Sequence, residues 1–432
     1  MSGQSFIIKG NVCYSAKKDY METVEGGYIV CVNGVSKGVF TEIPEEYKNL
    51  PVEDYDDQLI IPGLVDLHIH APQFAYRGLG MDLELLDWLQ TYAFPEETKY
   101  RDLEYAKKAY GLFVDKMRKS ATTHACVFAT RHREATELLM EMMEEAGLES
   151  YIGKVNMDRE APDSLREADA EEARVETIEW IENVLNKYEH TKPILTPRFI
   201  PSCTDELMSN LHEIQKRYDL PVQSHLSENL GEIAWVTELR PTSKFYGDAY
   251  DQDCLFGKEY GTGKAVPTIM AHCVYSSDEE IKRMLENDVF VVHCPASNTN
   301  VSSGIAPIRK YLDADLKMGI GSDVAGGHTE SLFRAITDTI QMSKMYWRLV
   351  DQSCKQVTFD EAFYLATKGG GEFFGKVGSF EDGYQFNAVV LDDSIIPHPQ
   401  ELNIHQRMER AAYLSLDLLG IVAKYAHGEK LF

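Results

Sequence analysis

The sequence contains no Cys-x-x-Cys pair, although it has eight cysteines. Their scattered spacing argues against a disulfide framework and against a structural zinc knuckle. Several lie inside apolar segments, such as Cys31 in YIVCVNG and Cys126 in ACVFAT, where a thiol packs as a small hydrophobic group. We therefore expect reduced thiols and a cytoplasmic protein.

Long apolar segments and basic residues are also scarce. No segment approaches the roughly 20 apolar residues of a membrane span, and the N-terminal residues lack the layout of a signal peptide. The 43 lysines and arginines are outnumbered by 69 aspartates and glutamates, which gives a formal net charge of -26. This charge opposes binding to phosphate backbones and anionic membranes. We expect a small-molecule substrate, with neither nucleic acid nor membrane as a partner.

The order of strand and helix patterns predicts an α/β fold. The first sixty residues have the pattern of short strands, with a hairpin at Asn33-Gly34, and His427-Gly428 predicts a last hairpin. Between them, eight apolar strand segments alternate with helical stretches, including 163–188 and 278–287. This alternation predicts a (β/α)8 TIM-like barrel over 63–384. Residues 1–62 and 385–432 are expected to form a small β-sandwich domain.

Histidines and an aspartate stand where several of these strands end. The segment IIPGLVDLHIHAPQ carries His68 and His70 two positions apart, and therefore on one face of an extended strand. His225 ends the fifth strand, His272 the sixth, and Asp323 the eighth. Because the carboxyl ends of barrel strands meet at one mouth, these side chains predict a site for zinc or a similar divalent metal.

Such a set favours hydrolysis. Three histidines and an aspartate would hold the ion and leave a position for water, whose pKa falls from near 16 to about 7. Glu228 stands three residues after His225, where a carboxylate can shuttle protons. Asp323 can both coordinate and accept the proton of the water, and His272 can orient the water or stabilise charge. This combination describes attack on an electron-poor carbon.

Each residue also has an ordinary structural interpretation. A single His-x-His is a weak signal, a lone His225 fits a core histidine, and Asp323 could cap a helix. Lys154 could be a carbamylated lysine that bridges two metals. Three further histidines near strands are expected to form hydrogen bonds or support the site from behind it: His124, His132 and His293.

The motifs resemble those of the amidohydrolase superfamily. They are PGLVDLHIHAPQ, TPRFIPSCTDEL, SHLSEN, MAHC, HCPASN and GSDVAGG, spread over essentially the whole chain. The resemblance implies one zinc ion, with iron as an alternative, bound by His68, His70, His225 and Asp323. It also implies that Glu228 relays protons, that His272 assists at the attacked carbon, and that the protein is a homodimer.

Within that superfamily, the pair HAPQ and TPRF resembles the guanine deaminases. The resemblance implies that Gln73 and Arg198 hold a purine ring, with Phe199 packed near it, and that the reaction is hydrolysis of guanine to xanthine and ammonia in purine catabolism. The guanidinium of Arg198 suits an oxo group because it keeps its proton and can always donate a hydrogen bond. The amide of Gln73 can both donate and accept hydrogen bonds along the edge of the ring. Three aromatic residues after the first strand could also sandwich a base or pack in the core: Phe74, Tyr76 and Trp88.

Other interpretations stay open. The substrate could be a related amino-heterocycle, such as an oxidised guanine, a pterin or a cytosine. A two-metal cyclic-amide hydrolase would use Lys154, and a scaffold protein would be expected to have lost metal ligands. Asn387 departs from the aspartate that many relatives carry in FNAVV, and the tail after Met408 is hard to align.

Overall fold

The computed structural model describes residues 4–257 and 267–432. Its strands are β1 Phe6–Lys17, β2 Tyr20–Val32, β3 Val35–Phe40, β4 Val52–Pro62, β5 Leu64–His70, β6 Thr122–Phe128, β7 Glu149–Gly153, β8 Val155–Asn156, β9 Thr191–Pro193, β10 Thr196–Pro197, β11 Val222–Leu226, β12 Thr268–His272, β13 Phe290–His293, β14 Met318–Ile320, β15 Ala388–Leu391, β16 Ile421–Ala426 and β17 Glu429–Lys430.

The α-helices alternate with the central strands. They are α1 Leu85–Trp88, α2 Phe94–Thr98, α3 Leu103–Lys119, α4 Arg133–Glu145, α5 Ala170–Val184, α6 Asp205–Tyr218, α7 Leu230–Leu239, α8 Tyr246–Gln252, α9 Asp278–Glu286, α10 Pro295–Asn300, α11 Ile308–Asp313, α12 Leu332–Leu349, α13 Phe359–Tyr364 and α14 Ile404–Tyr413. Within the described residues, no helix combines the length and the apolar character that crossing a bilayer requires.

Strands from both ends of the chain lie in one seven-stranded mixed sheet, in the order β17-β16-β15-β4-β1-β2-β3. The predicted hairpins are confirmed, because β2 pairs with β3 across Asn33-Gly34 and β16 pairs with β17 across His427-Gly428. A β-sandwich needs two packed sheets, and the described strands of the two ends form one, so the sandwich is not confirmed. The domain boundaries at residues 62 and 385 stay a prediction.

The central strands form two parallel four-stranded sheets, β5-β6-β7-β9 and β11-β12-β13-β14, and β8 pairs with β10. All seven residues of β5 are buried, as expected for a parallel strand covered on both faces. The sheets also meet: Leu195 forms a parallel bridge with Val222, and Asp323 N–H donates to His68 O at 2.8 Å. The α/β class is therefore confirmed, while closure into a complete barrel stays a prediction.

One predicted helix is shorter than its sequence pattern. The pattern predicts a helix over 163–188, but α5 covers Ala170–Val184 and is capped by the side chain of Asp169. The preceding segment is irregular because Glu167 is fully buried and accepts hydrogen bonds from Lys154 Nζ at 2.7 Å and from Met157 N at 2.8 Å. A helical turn there would carry Glu167 away from these donors. The helix predicted over 278–287 is present as α9.

Candidate active site

Three imidazoles and one carboxylate converge at the carboxyl ends of the parallel strands. His68 and His70 end β5, His225 lies in β11, and Asp323 follows β14. His70 Nε2 lies 3.2 Å from His68 Nε2 and 3.3 Å from His225 Nε2. Asp323 Oδ1 is 3.2 Å from His68 Nε2 and 3.5 Å from His70 Nε2. The structure thus brings together the four side chains that the strand ends predict.

Burial sets the charges in this group. It holds the pKa of His68 below its usual value and the pKa values of His70 and His225 well below theirs. Burial also opposes ionisation of Asp323, but the neighbouring charge and hydrogen bond of His68 outweigh it and keep the pKa of that carboxyl low. Neutral imidazoles beside an ionised carboxylate are the protonation states that metal binding requires.

The hydrogen bonds around the ligand set also fit a metal ion. His225 Nδ1–H donates to the backbone oxygen of Arg198 at 2.6 Å, which leaves the Nε2 lone pair facing the other imidazoles. His70 Nε2 faces the Nε2 atoms of His68 and His225 at 3.2 and 3.3 Å. Since the lone pairs of unprotonated nitrogens repel one another, a cation between these three atoms would stabilise the cluster. The Nδ1 atoms of His68 and His70, unlike that of His225, have no hydrogen-bond partner among the described residues.

The two residues predicted to assist the reaction, His272 and Glu228, lie beside the predicted ligand set. His272 Nδ1–H donates to Asn298 Oδ1 at 2.8 Å, so its Nε2 faces Glu228 Oε2 at 3.5 Å and Asp323 Oδ2 at 3.7 Å. Burial raises the pKa of Glu228 to about 7, where a carboxyl group can both hold and release a proton near neutral pH. Burial opposes protonation of His272, but the two carboxylates outweigh it and raise the pKa of that imidazole.

Backbone geometry contributes to this placement. His272 has φ of 75° and Asp323 has φ of 45°, both in the left-handed region that residues with side chains seldom adopt. Each residue ends or follows a strand, so the chain turns sharply just where the side chain enters the site. Strain of this kind clusters at functional sites.

The predicted purine-reading residues share a buried carboxylate. Arg198 Nη1 and Nη2 donate to Glu97 at 2.7 and 3.2 Å, and Gln73 Nε2 donates to Glu97 Oε1 at 2.8 Å. All three side chains are almost fully buried. Gln73 Oε1 also accepts from the backbone N–H of Ala325 at 3.1 Å. Glu97 therefore fixes the orientation of both Gln73 and Arg198.

These groups line one cavity. Its walls include the polar residues Gln73, Arg198, Glu228 and Asp323 and the apolar residues Leu85, Trp88, Leu89, Phe199 and Val301. Of the aromatic residues considered from the sequence, Trp88 and Phe199 line the cavity. Phe74 instead packs edge-on against Phe113, and Tyr76 stacks with Tyr92. The structure thus favours core packing for Phe74 and Tyr76.

None of the remaining candidates belongs to the set of His68, His70, His225 and Asp323. Lys154 is fully buried in an ion pair with Glu167, which gives it a partner other than a metal. His124 bonds to Thr123 and Gln385, as expected for a hydrogen-bonding role. His132 precedes α4, and burial lowers its pKa to about 4. Neither ring nitrogen of His293 has a hydrogen-bond partner among the described residues, so of its two expected roles only support of the site stays a prediction.

Sequence reasoning missed three side chains of the site. Glu97 lies in the first turn of α2, and acidic residues are common at helix N-termini. Its presence there therefore did not indicate a functional role. Asn298 lies within the quoted motif HCPASN, and a search for partners of His272 could have found it. Ser303, whose hydroxyl donates to Glu228 Oε1 at 3.0 Å, stands in no motif.

Comparison with known proteins agrees with this geometry. The model of the Amidohydrolase family matches residues 59–412. The chain belongs to the amidohydrolase family. It is 42% identical over 352 residues to the guanine deaminase of Dictyostelium discoideum, covering 81% of this chain and 76% of that protein. It is 39% identical over 350 residues to the guanine deaminase of Mus musculus, covering 80% and 75%.

A solved structure is similar over the full length. The crystal structure of guanine deaminase from C. acetobutylicum with bound guanine in the active site has a TM-score of 0.95 and 44% identity, and the match covers 99% of this chain and 100% of that chain. The expected membership and the resemblance to guanine deaminases are confirmed, and the chain is an enzyme of this amidohydrolase family.

Proposed function

We propose that this enzyme hydrolyses guanine to xanthine and ammonia. The observation that carries the proposal is the single cavity in which Gln73 and Arg198 lie beside the His68, His70, His225 and Asp323 cluster. The similarity to guanine deaminases, one of which binds guanine in its active site, supports the same substrate.

The cavity offers complementary groups for a flat, oxo-bearing ring. The bonds to Glu97 use two of the five N–H donors of the Arg198 guanidinium, so others can donate to the oxygen and ring nitrogens of guanine. One amide hydrogen of Gln73 bonds to Glu97, and the second can donate to the edge of the purine ring. Phe199 and Trp88 provide aromatic walls for the base.

The metal ligands are assigned to His68, His70, His225 and Asp323, and zinc is the proposed ion, with iron as an alternative. Zinc bound by these residues would supply a water molecule whose pKa is lowered to near 7. Neutral imidazoles and the low pKa of Asp323 keep all four side chains ready to bind it.

Proton transfer is assigned to this chain's own side chains. Asp323 and Glu228 take the proton from the attacking water, and Glu228 delivers a proton to a ring nitrogen. His272 stabilises the charge that develops at the attacked carbon. A carbon–oxygen bond forms, and the new hydroxyl on the attacked carbon then gives up the second water proton to Asp323 and Glu228. As the carbonyl of xanthine forms, the carbon–nitrogen bond to the amino group breaks, and Glu228 delivers this second proton to the leaving amine. A carboxyl group with a pKa of about 7 suits both donation and acceptance.

The same family assignment extends to architecture. We propose that the eight central strands close into a (β/α)8 barrel over residues 63–384 and that residues 1–62 and 385–432 form the second domain. Backbone hydrogen bonds between the two parallel sheets support closure. We further propose that the protein is a homodimer and that it is located in the cytoplasm. The location is supported by the eight cysteines, which are all free thiols, as expected in a reducing compartment.

Turnover of guanine tests the proposal. Purified enzyme is incubated with guanine, and xanthine and ammonia are measured together, with an oxidised guanine, pterin and cytosine supplied in parallel. We expect guanine to be hydrolysed with the highest kcat/KM. If guanine is left intact while another ring releases ammonia, the assignment of Gln73 and Arg198 to guanine is wrong.

A further inference from the structure

A second cluster of side chains of the types that bind metals lies at the opposite ends of the parallel strands from the active site. Glu149 is the first residue of β7, His190 directly precedes β9, and His427 stands in the turn between β16 and β17. The active-site ligands come from the carboxyl ends of parallel strands, whereas Glu149 and His190 lie at amino ends. The cluster therefore connects the parallel sheet to the seven-stranded sheet and takes no part in the proposed reaction.

The geometry of this cluster suits one ion. One ligand atom from each of Glu149, His190 and His427 lies within 4.8 Å of the other two. The two imidazole rings stack with centroids 3.8 Å apart and an interplanar angle of 17°. In a tetrahedral zinc site with bonds of about 2.0–2.1 Å, neighbouring ligand atoms are roughly 3.3 Å apart. The two stacked rings must rotate out of their parallel arrangement so that one nitrogen of each faces the shared ion.

His427 is an unusual residue for its position. It has φ of 53° and is followed by Gly428 with φ of 76°, and such two-residue hairpin turns favour asparagine or glycine. Its imidazole is largely buried, and neither ring nitrogen has a hydrogen-bond partner among the described residues. Nδ1 lies 3.4 Å from Glu149 Oε2 without forming a hydrogen bond. An imidazole aimed at a carboxylate in this way is ready to share a cation with it.

The charge states support the same conclusion. Burial lowers the pKa of His427 to about 3, so this imidazole is neutral and its lone pair is available near neutral pH. Burial opposes ionisation of Glu149, but the hydrogen bond and charge of His124 outweigh it and keep the pKa of Glu149 low. Two imidazoles and a carboxylate form a ligand set that zinc prefers.

Neighbouring groups orient Glu149 and leave room for an ion. Gln385 Nε2 donates to Glu149 Oε2 at 2.8 Å, and His124 Nε2 is 3.3 Å from the same oxygen. Lys192 Nζ lies 3.8 Å from Glu149 Oε1, but its side chain is 47% exposed and can turn to solvent when a cation binds. We propose that Glu149, His190 and His427 bind a divalent ion of the zinc type that ties the β16–β17 turn to the parallel sheet.

Metal content measured on the zinc-loaded enzyme tests this site. The enzyme is equilibrated with Zn²⁺, passed through a desalting column and analysed for zinc, and its thermal midpoint is recorded with and without added Zn²⁺. We expect about two ions per chain in the wild type, and about one in His427→Asn and in His190→Gln. Asparagine keeps the left-handed turn at residue 427, so this variant is expected to fold.

His398→Asn in the loop after β15 is the matched control and should keep both ions. Added Zn²⁺ should raise the thermal midpoint of the wild type and of this control, and the effect should be lost in the two site variants. Guanine turnover by every variant should stay within about twofold of wild type. A zinc content that is equal in the wild type and in both site variants would overturn the proposal. Because the test compares variants, it depends neither on which metal fills the active site nor on whether guanine is the substrate.

Discussion

The buried carboxylate of Glu97 gives the sharpest quantitative prediction. In Glu97→Gln, the side chain keeps its shape but loses its charge, and its new amide N–H₂ faces the donors of Arg198 and Gln73. Arg198 is 3% and Glu97 1% exposed, so the guanidinium would be left in a buried site without a compensating charge. Breaking a buried ion pair in this way costs about 3–5 kcal/mol, and the retained amide oxygen reduces the expected cost to about 2–4 kcal/mol.

The kinetic effect follows from the same contacts. A hydrogen bond to a charged group contributes about 1.5–3 kcal/mol, and each 1.36 kcal/mol is a tenfold change in rate. If Arg198 and Gln73 lose their fixed orientation, we expect kcat/KM for guanine to fall by about 10- to 100-fold. Stability is measured by urea unfolding, and the unfolding free energies are compared when the two proteins show the same dependence on urea concentration. Activity is measured as the initial rate of xanthine formation.

The adjacent residue provides the control. Glu96 lies on the same helix and pairs with Lys99 at 2.6 Å, and Lys99 is 52% exposed. Glu96 is itself only 8% exposed and also accepts from the Tyr105 hydroxyl, so Glu96→Gln should cost about 1–3 kcal/mol of stability. It pairs with neither Arg198 nor Gln73, so kcat/KM should stay within a few-fold of wild type. If Glu97→Gln also keeps kcat/KM within a few-fold of wild type, Glu97 does not hold the purine-reading residues and the reasoning is refuted.

Three further predictions concern the proton shuttle, the metal and pH. Glu228→Gln should lower kcat by about 10²–10⁴-fold with zinc content unchanged, and near-normal turnover would end the proton-shuttle assignment. Chelation should abolish xanthine formation and added Zn²⁺ should restore it; activity that survives complete metal removal would contradict the ligand assignment. Burial raises the pKa of Asp417 to about 6, so its protonated form stabilises the fold below about pH 4 and that contribution is lost as pH rises through 6. The thermal midpoints of wild type and Asp417→Asn are compared from pH 4 to 8. Over this range the wild type should lose about 2–3 kcal/mol of stability relative to the variant, and midpoints that change in parallel would contradict this.

Some features could be predicted from the sequence because they depend on local patterns. The strand period places His68 and His70 on one face, and the rule that parallel strands share a carboxyl edge brings His225 and Asp323 to the same place. The hairpin at Asn33-Gly34 follows from two residues that tolerate positive φ, and the hairpin at His427-Gly428 follows from its glycine. In each case a few neighbouring residues determine the geometry.

Other features depend on contacts between distant segments, and no local pattern encodes them. The helical periodicity of 163–188 gave no indication that Glu167 is buried against Lys154, and this contact keeps the first part of the segment out of α5. Glu97 is separated from Arg198 by 101 residues, and His190 meets His427 only after both sheets have formed. Such partners become visible when tertiary structure brings them together.

The positions of these residues divide the site into two parts of different origin. The proposed metal ligands stand at or near the ends of β5, β11 and β14, in the two parallel sheets. By contrast, Gln73, Trp88 and Glu97 all belong to the segment 71–101, which lies between β5 and α3 and carries only short helical turns. Such a segment can change without disturbing the parallel sheets. We therefore expect changes in ring preference to arise from substitutions in 71–101 and at Arg198 and Phe199, whereas substitutions of His68, His70, His225 or Asp323 remove hydrolysis of every ring alike.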